Sequence, residues 1–142
     1  MDTERLRDEL MDALAGMYEK KAIAALAEFL QGELRILVYL SQHRGDGVNP
    51  SQLSDRLHVS RSRITAALSA LRRKGYVQME ISEADRRRML VTITPAGAAH
   101  LRSKQEQVER YFDHLVEGMG EENVRQLIRL IELSNQIIGD EE

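Results

Sequence analysis

The sequence predicts a mainly α protein with one small β-hairpin, and three observations carry that prediction. Apolar residues recur at helical spacing over most of the 142 positions. Two helical segments with start signals stand one after the other between Asn49 and Gly75, with only a few residues between them. Between Val77 and Ile93 alone, the apolar pattern changes to the two-residue alternation of strands. The chain has no Trp and only two Phe, so Leu, Ile, Ala and Met must supply most of the core. It also has no Cys, which excludes disulfides and thiol nucleophiles.

Taken in order, Leu6, Leu10, Ala13, Leu14 and Met17 mark one face of a helix over residues 2–18. A second helical stretch covers 22–43, with Gly32 as its weak point, and RGDG at 44–47 is a turn. Asn49 is placed to cap the next helix, with Pro50 at its first position and Gln52 at the third. That helix turns Leu53 and Leu57 inward and fades at His58-Val59. Ser60 caps the following one, which buries Ile64, Ala67, Leu68 and Leu71 and ends at Gly75. Two short helices joined by so tight a turn form a helix-turn-helix.

Val77, Met79 and Ile81 then alternate, as do Met89, Val91 and Ile93, and SEADRRR connects them. Thr94-Pro95 opens a long helix over 96–117, which Gly118 and Gly120 interrupt, and a last helix covers 121–138. In that last helix Val124, Leu127, Ile128, Ile131 and Ile138 lie on one side. Leu130, Leu133 and Ile137 lie roughly a third of a turn away. Two apolar faces need two partners, one from the same chain and the other from a second copy.

Charge is segregated. From Pro50 to Gly97 nine Lys/Arg stand against four acids, a local charge of +5 inside a chain of net −3. A basic middle between acidic ends marks a surface for a polyanion. Ser60, Arg61, Ser62, Arg63 and Thr65 occupy the N-terminal end of the second short helix, where groove-reading helices meet base edges and phosphates. Arg72 and Arg73 occupy its other end, where they either meet phosphate or complement the helix dipole.

Other chemistries fit poorly. No Gly-rich phosphate loop, GxSxG or HExxH occurs, which argues against an enzyme. His100 and His114 share a helix face but sit about 21 Å apart, too far to chelate one ion. His43, with Glu residues of other helices, is what remains for a metal-responsive reading, and His58 has no partner spacing. A protein-interaction module is the other alternative. It would need aromatic or Met anchors where Arg61, Ser62, Arg63, Thr65 and Ser69 stand. The chain has no apolar run of about 18 residues and no signal-peptide centre in its first residues, so the expected location is the cytoplasm.

The segments PSQLSDRLHVSRSRITAALSALRRKGYV, from Pro50, and ADRRRMLVTITPAG, from Ala84, resemble the winged helix-turn-helix regulators of the MarR family. The second matches that family's D-x-R wing pattern, its valine-rich strand and its L-T-x-x-G ending, with Ile93 in place of the usual Leu. The resemblance implies a dimerisation region of helices at 1–31 and 98–142 and a DNA-binding winged helix-turn-helix at 32–97, within one structural domain. It makes Arg87 the arginine that enters a minor groove, with Asp85 orienting it. Strand alternation would turn Arg86 and Arg88 away from the task of Arg87. Asp85, Arg86 and Arg87 thus join the reader-helix residues as the expected DNA-binding set. The resemblance further implies a homodimeric repressor on double-stranded DNA, released by a small aromatic or anionic effector, with no cofactor. No pocket motif carries over, and Tyr18, Tyr39 and His43 are the candidate pocket residues.

Overall fold

The computed structural model describes residues 1–139. The last three positions of the expected 98–142 region therefore lie outside the described residues. In chain order the elements are α1 (Thr3–Tyr18), α2 (Lys21–Leu30), α3 (Gly32–Gln42), α4 (Pro50–Leu57), α5 (Arg61–Arg73), β1 (Val77–Ile81), β2 (Met89–Ile93), α6 (Pro95–Met119) and α7 (Glu121–Gly139). The protein is thus mainly helical, with one antiparallel hairpin. Among the described residues no helix is long and apolar enough to cross a membrane.

The chain divides into two compact units, Met1–Glu106 and the part from Gln107 onward. Among the described residues, the first unit holds the whole core of buried apolar side chains. Leu34, Ile36, Leu37 and Leu40 of α3 pack there with Leu53 and Leu57 of α4 and with Ile64, Leu68 and Leu71 of α5. Val48, Val77, Val91 and Leu101 complete it, and Phe29 of α2 leans on it. α1 has no buried residue, and its stripe of Leu6, Leu10, Leu14 and Met17 is exposed.

The start signals work as local chemistry requires. The Asn49 side chain accepts from the Gln52 N–H at 2.8 Å, and Pro50 takes the position where its missing N–H leaves nothing unmade. Gly75 closes α5 at φ +78°, a conformation that costs a Cβ-bearing residue strain. The hairpin pairs Val77 with Ile93, Met79 with Val91 and Ile81 with Met89, so the alternating apolar set shares one face. Its root is clamped by Thr94, which donates from its hydroxyl to the Gly75 carbonyl at 2.6 Å and from its backbone to the Tyr76 carbonyl at 3.1 Å. A Cβ on Gly97 would stand 2.1 Å from that Tyr76 oxygen, so only glycine lets α6 start this close to the hairpin.

The second unit comprises the end of α6 and α7. Gly118 does not interrupt α6, which runs on to Met119; the break is at Gly120 alone, with φ +83°. A single Gly inside a long helix costs about 1 kcal/mol, which 25 residues of helix absorb without breaking. In α7 only Val124 and Leu127 are half-buried, and no residue is fully buried. The own-chain cover expected for one of its two faces therefore extends no further than those two residues.

Candidate nucleic-acid interface

The turn between α4 and α5 is built from short-range bonds. The Ser54 hydroxyl donates to the Val59 carbonyl at 2.6 Å, and the Val59 N–H returns to the Ser54 carbonyl at 3.2 Å. His58 between them adopts a left-handed φ of +55°, which places it as a helix-ending residue. With Ile64, Leu68 and Leu71 each 1% exposed, α5 is seated on a rigid apolar back, and its opposite face is left to solvent.

That face carries the expected residues, in distinct states. Arg61 and Arg63 are exposed, and among the described residues neither side chain makes an ion pair or hydrogen bond. The Ser60 hydroxyl is partly engaged: it accepts from the Arg63 N–H at 3.3 Å as the helix cap and lies 3.3 Å from the Ser62 hydroxyl. The Thr65 hydroxyl donates to the Arg61 carbonyl at 2.9 Å, so it can offer an outside partner only its acceptor lone pairs and its methyl group. The two arginines are therefore the main open donors at this end of the helix. Arg72 and Arg73 are exposed at its other end, again without a partner among the described residues. Their neighbour Lys74 reaches back to Glu33 at 2.7 Å and ties the end of α5 to the start of α3, a contact that joins positions too distant for local sequence patterns to link.

The wing tip is organised by one carboxylate. Asp85 Oδ1 accepts from the backbone N–H of Arg87 at 3.0 Å and from its Nε at 3.3 Å. Asp85 Oδ2 stands 3.8 Å from Arg88 Nε, and the Arg88 N–H donates to the Asp85 carbonyl at 2.9 Å. With the Arg87 side chain 92% exposed, such a pair adds little stability; its effect is to direct the guanidinium. Arg86 is exposed and has no partner among the described residues. Strand alternation does not set Arg86 and Arg88 apart from Arg87. Residues 86 and 87 form a turn and β2 begins only at Met89, so strand geometry does not orient these side chains.

Of the candidate pocket residues the structure brings two together. Tyr18 is exposed on α1, while Tyr39 and His43 stack on each other at 4.2 Å. His43 lines a cavity of about 500 Å³ with Arg44 and Arg102, whereas His100 stacks on Tyr76 at 4.4 Å. A second cavity, about 290 Å³, lies behind α5 and is lined by Arg35, Ile36, Leu57, Val59, Arg63 and Ile64 among others. Among the described residues no three His, Asp or Glu side chains converge as a metal site would need.

Comparison with known proteins identifies the family and the fold. A family model described as a winged helix DNA-binding domain matches residues 33–112. The HTH-type transcriptional repressor YetL of Bacillus subtilis (strain 168) is 30% identical over 71 residues, covering 50% of this chain and 42% of that protein. The match thus spans less than half of the repressor's length. Among solved structures, the YusO protein from Bacillus subtilis matches with a TM-score of 0.76 at 17% identity, covering 96% of this chain and 99% of that one. The S. aureus MepR–DNA complex matches with a TM-score of 0.68 at 20% identity, over 92% of this chain and 98% of that one. At such identities the structural likeness is one of fold.

Proposed function

The chain belongs to the winged helix DNA-binding domain family, with a fold of the MarR type, and on that premise we propose that it is a homodimeric transcriptional repressor released from its operator by a small effector. In this reading Arg61 and Arg63, with Ser60, Ser62 and Thr65, enter a major groove. Arg87, directed by Asp85 and flanked by Arg86, enters the adjacent minor groove, and Arg72 and Arg73 approach the backbone. The observation that carries the reading is the pairing of two open arginines on a rigidly seated helix with a third aimed by a carboxylate on the hairpin beside it. The helices of 1–31 and 98–142 supply the dimer contact, through the apolar surface left on α1 and α7. The cavity behind α5 supports effector release, because Arg63 lines it and so belongs at once to the reading face and to the cavity wall. The protein acts by binding and not by catalysis, in the cytoplasm.

The wing provides the test. On a duplex selected by the wild-type protein from a random pool, Arg87→Ala should weaken binding strongly without changing the unfolding transition. Asp85→Ala should also weaken it, because the arginine loses its pre-organised direction. A purely electrostatic wing predicts the opposite sign for Asp85→Ala, since removing an acid beside DNA tightens binding. Affinities of both variants at two salt concentrations decide between them, and tighter binding by Asp85→Ala would reduce the wing to a diffuse positive patch.

A further inference from the structure

Resting on the DNA-binding reading, we infer that the groove between α4 and the wing is a seat for a single backbone phosphate of the duplex, held jointly by Arg56 and Arg88. The groove measures about 490 Å³ and is lined by Ser51, Asp55 and Arg56 of α4 and by Arg87 and Arg88 of the wing, among others. Three guanidinium groups line it against Asp55, and even with Asp85, which pairs with two of them, counted in, the groove is net cationic. Arg56 makes no ion pair among the described residues. The Arg88 side chain has only the 3.8 Å approach to the Asp85 carboxylate, whereas Arg87 holds the same carboxylate at 3.3 Å and again through its backbone N–H. The shared carboxylate therefore favours Arg87, and Arg88 is the arginine that can turn to an outside anion at little cost.

The two arginines come from separately anchored elements. α4 is fixed by the Asn49 cap and by the Gln52 side chain, which donates to the Tyr39 hydroxyl at 3.0 Å. The wing is fixed at its root, where the Val91 N–H donates to the Val48 carbonyl at 2.7 Å. An anion held between them sets the height of the wing against the helix-turn-helix. A duplex docked on α5 and the wing presents a row of phosphates along that boundary, and a phosphate contact of this kind positions the protein without reading sequence. The Ser51 hydroxyl, in the first turn of α4, adds a neutral donor to the same groove.

The experiment uses the full chain, a duplex selected by the wild type from a random pool, and a scrambled duplex of equal length. Arg56→Gln and Arg88→Gln should each weaken binding by the same factor on both duplexes. The double variant should lose less than the product of the single losses, because both side chains hold one phosphate. Its log–log salt slope should fall by about 0.9, the value for one neutralised phosphate. Arg56→Lys and Arg88→Lys should restore the slope, which a merely structural role would not do. Multiplicative losses with a slope change of about 1.8 would mean two separate phosphates and overturn the shared seat. Loss confined to the selected duplex, or no change in slope, would also overturn it. A wild-type protein that enriches no duplex from the random pool would instead overturn the DNA-binding reading itself.

Discussion

α5 and α7 carry apolar residues at the same helical spacing, and their surroundings treat them in opposite ways. Ile64, Leu68 and Leu71 of α5 are each 1% exposed, covered by α3, α4 and the hairpin root. Ile131 and Leu133 of α7 are 49% and 52% exposed. The comparison teaches that an apolar stripe identifies a face, while elements remote in sequence decide whether that face becomes core. It also separates two uses of the same pattern. A covered stripe holds a helix still so that its other face can present charge. An uncovered one of this length is available as an interface.

The largest effect expected on the covered side is that of Leu68→Ala. It should destabilise the protein by about 2–5 kcal/mol, measured by urea unfolding against the wild type at one fixed protein concentration. A loss of well under 1 kcal/mol would mean that the back of α5 is not packed as described. Next comes Gly97→Ala, which forces a Cβ against the Tyr76 carbonyl. Moving the backbone to relieve it should cost about 1–3 kcal/mol, read as a lower Tm. An unchanged Tm would show that α6 does not start so close to the hairpin.

Ser60→Ala should cost about 1 kcal/mol through the lost cap on the Arg63 N–H, which sharpens the comparison by testing α5 at its end instead of its middle. The smallest effect on the protomer should follow Ile131→Asp. At an exposed helix position, it should change protomer stability by no more than about 0.5 kcal/mol. In light scattering, however, the mass should fall from about twice 16.2 kDa toward 16.2 kDa, because the charge is placed in the proposed dimer contact. A wild-type mass of 16.2 kDa at micromolar concentration would break the comparison from the other side, leaving α7 uncovered in solution.

Much of the reading end was legible because its signals are local. The Asn49 and Ser60 caps, Pro50 and the left-handed Gly75 each act within three or four residues of themselves. The wing was legible in part. The Asp85–Arg87 pair spans two residues, and the structure forms it as the motif implies. The orientation of Arg86 and Arg88 was not legible, because alternation describes strands and both residues precede β2. The continuity of α6 through Gly118 was not legible either, because one Gly costs a long helix too little to break it.

By itself the sequence determined the order and type of the elements, the caps that bound them, and the basic middle of an acidic chain. These follow from backbone propensity, side-chain period and charge, which act between near neighbours. The tertiary structure decided which stripes are buried, that Lys74 answers Glu33, that Thr94 clamps the end of α5 to the start of α6, and that Arg56 and Arg88 share a groove. Those contacts join residues tens of positions apart. Their existence depends on packing the whole of the first unit around Leu37, Leu53 and Leu68, and no local window of the sequence contains that information.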